Sequence, residues 1–194
     1  EVRRAWTGVD VEAVEADEWG RTWGVRVAGV APGSPADRAG LSPGDRLLTA
    51  NGRRLGTPLD FEAVLLDAKA GEGVDVTVEG RGRALRLMTE ALPTSRAERV
   101  EILEDLEVVT VTPEIQAEQD LGSEAGALIT EISSSLSRQL GLARGDVILQ
   151  INNTRVSSAE DAADALNALR NGVWVRIYFE RNGAVYFREF RTRR

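Results

Sequence analysis

Gly40-Leu41-Ser42-Pro43-Gly44-Asp45-Arg46-Leu47-Leu48 returns 101 residues later as Gly141-Leu142-Ala143-Arg144-Gly145-Asp146-Val147-Ile148-Leu149. The same offset pairs Asn51 with Asn152, Leu55 with Val156 and Gly71 with Gly172. A register held over that distance marks an internal repeat. Two homologous domains are therefore expected, 1–92 and 97–194. The linker between them, 93–96, has a proline, small polar residues and no periodicity. A chain of 194 residues has room for two domains of about 100.

Both copies spell the same elements. In the first, Val9 to Val14 alternates apolar and acidic residues, the pattern of a half-buried strand. Trp23–Val30 and Arg46–Ala50 read as strands, and Ser34 is placed to cap a short helix over Ala36–Ala39. A helix over Pro58–Ala70 follows, then strands Val74–Glu79 and Ala84–Met88. The second copy closes with Trp174–Glu180 and Val185–Phe190 around the hairpin signal Asn182-Gly183. The expected fold class is α+β, mostly β: each domain a small antiparallel barrel or sandwich with two helices.

The Pro58–Ala70 helix has two apolar stripes when wound at about 100° per residue. Phe61, Val64, Leu65 and Ala68 form one, and Leu59, Ala63 and Leu66 the other. The repeat offers a control. Phe61, Val64, Leu65 and Ala68 become Ala162, Ala165, Leu166 and Leu169, whereas Leu59, Ala63 and Leu66 become Glu160, Asp164 and Asn167. The first stripe is thus the core side. The second is either buried against a neighbouring layer or open as the wall of an apolar groove.

Composition closes off several functions. The net charge of −7 and pI near 4.9 do not suit nucleic-acid or anionic-membrane binding. No apolar run is long enough for direct membrane insertion. With neither histidine nor cysteine, this stretch cannot build a Ser-His-Asp triad, a Cys-His dyad or a thiolate or imidazole metal site. No catalytic residue, metal or cofactor is expected, and the stretch reads as non-enzymatic. Asp45 and Asp146 read as turn acids accepting local backbone N–H bonds. Trp19 and Trp23 read as packing against the barrel or covering a groove. Without a signal peptide, and with Glu1 in place of Met, the chain reads as a fragment or processed product.

The run from Gly33 to Leu47, Gly-x-x-Ala-x-x-Ala-Gly-Leu-x-x-Gly-Asp-x-Leu, resembles bacterial PDZ domains. The tandem, with Trp6-Thr7-Gly8-Val9 near its start, is similar to the two C-terminal PDZ domains of HtrA/Deg-type envelope serine proteases. The resemblance implies that Trp6, Thr7, Gly8 and Val9 form a loop receiving a peptide's C-terminal carboxylate. It implies that the peptide pairs with Val9, Asp10 and Val11, and that Leu59, Ala63 and Leu66 line the groove. Arg3 or Arg4 would assist the carboxylate. Implied partners are C termini of unfolded or regulatory proteins with an apolar last residue, the protease domain of the parent chain and, in the full-length protein, further copies of itself. The implied role is substrate capture or sensing in protein quality control, in the periplasm or cell envelope. Two alternatives remain: an interaction scaffold that binds no peptide, and the PDZ pair of a membrane-embedded regulatory protease. In the second copy the loop is expected at Asp105-Leu106-Glu107-Val108, with Glu107 in the place of Gly8 repelling a carboxylate.

Overall fold

The computed structural model describes residues 5–16, 18–19, 22–102 and 105–192. The chain divides into two compact units, Glu1–Ser95 and Arg96–Arg194.

In unit 1 the elements run β1 (Ala5–Trp6), β2 (Val9–Ala13), β3 (Val25–Val30), α1 (Pro35–Arg38), β4 (Arg46–Ala50), β5 (Arg53–Arg54), α2 (Pro58–Asp67), β6 (Gly73–Val78), β7 (Leu85–Met88) and β8 (Glu90–Ala91). A short helix, α3 (Pro93–Arg96), occupies the expected linker. The main sheet is antiparallel in the order β2-β3-β4-β6-β7, with β5 folded back on β4 and a separate β1-β8 pair. Alternate residues of β3 and β6 point inward, so Val25, Val27, Val74 and Val76 meet Phe61 and Val64 of α2 in one core.

The wall helix is shorter than its apolar pattern. It stops at Asp67 because Ala68 turns extended, at φ −87° and ψ 152°, before either glycine is reached. Its N-terminus is built as the sequence suggests. Pro58 occupies the first turn, and Asp60 Oδ2 accepts the N–H groups of Gly56 at 2.9 Å and Thr57 at 2.8 Å. These two backbone bonds, Gly56 first, hold the Asp60 carboxyl below the usual aspartate range.

Unit 2 runs β9 (Arg99–Ile102), β10 (Leu106–Thr110), α4 (Pro113–Gln119), β11 (Ala127–Ile132), α5 (Ser134–Leu140), β12 (Val147–Ile151), β13 (Thr154–Arg155), α6 (Ala159–Asn167), β14 (Trp174–Arg181) and β15 (Ala184–Arg191). Its sheet order is β15-β14-β12-β11-β10-β9. Dropping β9 leaves the order of unit 1, with β10 standing for β2. Two elements are additional to the expected plan. The strand β9 sits on the outer edge, and α4 lays Ile115 on a second cluster with Val109, Leu128 and Val147. Consecutive Val108 and Val109 are both buried, so this sheet is covered on both faces.

The Gly-Asp turns behave as read. Asp45 accepts the Ser42 N–H at 3.0 Å and pairs with Arg81 at 2.8 Å. Asp146 accepts the Ala143 N–H at 2.7 Å and two Arg181 donors at 2.6 Å. Ser133 caps α5 through the Leu136 N–H. Trp23 lies under the Arg46 guanidinium, 4.4 Å from its ring centre, while Trp19 stands largely exposed.

Candidate functional site

Gly8 explains the shape of the loop. Its φ is +73°, and a Cβ there would fall 2.2 Å from Cβ of Ser34, so no other residue fits. The loop is tied to the strand and helix behind it through its carbonyls. Ala31 N–H donates to Gly8 C=O at 2.8 Å, and Ala36 N–H donates to Thr7 C=O at 3.0 Å. With those carbonyls turned inward, the Thr7 and Gly8 N–H groups have no described acceptor. Thr7 is 1% exposed, and its Oγ1 also lacks a described partner. Two undonated backbone N–H groups and a hydroxyl in one tight bend suit an anionic oxygen ligand.

Beside the loop, β2 pairs with β3 on one side only, and its other edge meets no strand among the described residues. Helix α2 packs alongside β1 and β2, leaving a slot open to an added strand. Trp6, Thr7, Gly8, Val9, Asp10 and Val11 are thus brought together at the start of β2. Arg3 and Arg4 lie outside the described residues.

The residues of the expected helix wall lie on the solvent side of α2. Leu59 and Leu66 are 77% and 65% exposed, and Ala63 is half-buried. They lie about half a turn from buried Phe61 and Val64, whereas a slot wall must adjoin the core face. Unit 2 shows which side adjoins the strand edge. There α6 packs more closely on β9 than on any other strand, and Ala159, Ala163 and Leu166 are withdrawn from solvent on that side. The helix caps fix the equivalence, Thr57 with Ser158 and Asp60 with Asp161, which places Pro58, Glu62 and Leu65 on the slot side of α2. Both apolar stripes were visible in the sequence; the side on which the strand edge lies was not.

The second unit's loop also needs correction. Ser133 N–H donates to Asp105 C=O at 3.0 Å, matching the bond from Ala31 to Gly8, and both ladders carry a bulge after the second residue. Asp105, not Glu107, therefore occupies the place of Gly8, and Glu107 occupies that of Asp10. Alignment forward along the strand missed this by two residues because unit 2 enters its ladder at Leu106. Glu107 repels nothing: it pairs with Arg99 at 3.1 Å. What closes the slot of unit 2 is β9, whose Ile102 is 1% exposed in the core that holds Ala162 and Leu166.

The profile of the PDZ domain family matches residues 7–90, the stretch from the glycine-bent loop through the slot to the last strands of unit 1. The first unit is a PDZ domain. Over 98% of its length the chain is 28% identical to a probable periplasmic serine endoprotease DegP-like of Marinomonas sp. (strain MWYL1), covering 43% of that protein. The counterpart of Ectopseudomonas mendocina (strain ymp) is 29% identical over 98% of this chain, and 44% of it is covered. The chain is similar to part of these DegP-like proteins and spans less than half of their length. A crystal structure of the HtrA3 PDZ domain bound to a phage-derived ligand overlaps 44% of this chain and 85% of its own. The TM-score is 0.37 and the identity 24%.

Proposed function

We propose that the PDZ domain of unit 1 captures polypeptide C termini. The peptide adds as a strand on β2, and its carboxylate meets the Thr7 and Gly8 N–H groups. Its apolar last side chain enters between β2 and the Pro58-Glu62-Leu65 side of α2. The observation that carries this reading is the conjunction, among the described residues, of an unpaired strand edge with undonated N–H groups at its start. Burying one aliphatic side chain contributes roughly 1.5–3 kcal/mol. Each charge-assisted hydrogen bond adds about 1.5–3 kcal/mol before ordering costs. Affinity on the order of micromolar follows, about −8 kcal/mol, which suits capture and release. The relatives are named periplasmic serine endoproteases. By that similarity the chain serves in the envelope, holding substrate or relaying its arrival to a protease domain.

The test is calorimetric titration of the chain with a peptide ending in isoleucine, as the free acid and as the C-terminal amide. The amide is expected to bind at least about tenfold more weakly, since it loses a charge-assisted contact. Equal affinities would remove the carboxylate loop from the account.

A further inference from the structure

Unit 2 carries a strand in the position where unit 1 has an open edge, and its direction is informative. β9 runs antiparallel to β10, with Leu106↔Ile102, Glu107↔Glu101, Val108↔Val100 and Val109↔Arg99 in register. Its C-terminal residue therefore lies beside the bend at Asp105, the counterpart of the Gly8 bend. Burial alternates along it: Ile102 is buried and Val100 half-buried against the core, while Glu101 and Arg99 face solvent. The outward Arg99 reaches diagonally to Glu107.

The common bulge and the common loop bond transfer this strand to unit 1 residue by residue. Ile102 maps opposite Val9, Glu101 opposite Asp10, Val100 opposite Val11 and Arg99 opposite Glu12. Asp10 takes the place of Glu107. It has no ion-pair partner among the described residues, and its neighbour across β3 is Gly29, which has no side chain to occupy that space. Glu12 is held loosely by Arg26 at 3.8 Å.

We propose that β9 is an internal copy of the ligand of unit 1, and that Asp10 makes this slot select C-terminal peptides with a lysine or arginine fourth from the end. With the last and third-from-last side chains in the slot, that cation pairs with Asp10. The inference rests on the C-terminus-binding reading above and names its substrate class. Asp10 is then a specificity-determining residue.

The experiment is fluorescence anisotropy on the whole chain with labelled peptides ending Arg-Val-Ala-Ile, Glu-Val-Ala-Ile and Arg-Asn-Ala-Ile, each as acid and amide. At low salt the Arg-Val acid should bind at least about threefold more tightly than the Glu-Val acid, and salt should narrow that gap. Replacing valine by asparagine should cost about tenfold, because a polar group would enter the slot. Asp10→Lys should reverse the order of the arginine and glutamate peptides. Asp10→Asn, a smaller change, should erase it. Equal arginine and glutamate affinities, an order unchanged in Asp10→Lys, or valine and asparagine binding alike would each overturn the inference while leaving C-terminus binding in place. Acids that bind no better than their amides would overturn the underlying reading, and this inference with it.

Discussion

The two units share one sheet order and differ at its outer edge. In unit 1 the outer edge of β2 meets no strand among the described residues; in unit 2 the equivalent β10 is covered by β9, and the outermost strands are β9 itself and β15 at the far end. The sequence difference that attracts notice is the helix, apolar on two sides in one copy and on one side in the other. It does not decide the matter. The residues that differ most, Leu59 against Glu160 and Leu66 against Asn167, all face solvent. A four-residue strand before β10 decides it, because an edge that is already hydrogen-bonded cannot take a peptide. The two slots of this chain thus differ by an internal occupant and not by the solvent-facing side of the helix.

The largest effect should follow from attacking that occupant. Ile102→Ala removes the buried end of β9, a change that typically costs about 2–5 kcal/mol. Unit 2 should lose a large part of its margin against denaturant, since a domain of its size has only about 5–15 kcal/mol. Urea unfolding followed by Trp174 fluorescence would read unit 2, and peptide titration would read unit 1. A full loss of peptide binding in Ile102→Ala would break the comparison, because it would place the working slot in the second unit.

A smaller effect is expected at the start of α2. There a single oxygen of Asp60 holds two backbone N–H groups and the Thr57 hydroxyl. Because folding lowers this carboxyl's pKa, its contribution is present above the usual aspartate range and fades as pH falls through the lowered folded value. Stability measured by thermal melting from pH 6 downward should therefore fall less steeply in Asp60→Asn than in the parent chain. An identical acid slope in both would show that the carboxylate contributes nothing to holding the wall helix.

What could be read beforehand follows a physical division. Local chemistry was legible: Ser34 caps α1 through the Asp37 N–H, and Asn182-Gly183, with φ of 50° and 74°, makes the hairpin turn its residues favour. So was periodicity, which separated Phe61 and Val64 from Leu59 and Leu66 correctly. Non-local pairing was not. Arg99-Val100-Glu101-Ile102 is too short and too charged to announce a strand, and only its placement between β10 and α6 makes it one. Buried Glu180 was missed for the same reason. It accepts the Gly122 N–H at 2.8 Å and the Ser123 hydroxyl, residues some sixty positions away that no local pattern connects. Gly8 was found through the resemblance to PDZ domains, yet its neighbour Ser34, which makes that glycine necessary, could come only from coordinates.

The smallest expected effect sharpens the comparison most. Leu59 and Leu66 drew attention as an apolar stripe present in one copy alone, but a side chain that is 65% exposed has little burial to lose. Leu66→Ser should therefore shift stability by no more than about 0.5 kcal/mol and leave the affinity for an isoleucine-ended peptide unchanged. Leu65→Ser, one position earlier, strikes the side of α2 that faces the slot and packs against the core. It should weaken peptide binding as well as the fold. The adjacent pair converts a rotation of about 100° into a binding measurement. A loss of affinity in Leu66→Ser with Leu65→Ser unaffected would return the wall to the stripe first read from the sequence. It would also mean that α2 presents a different side to its strand than α6 does.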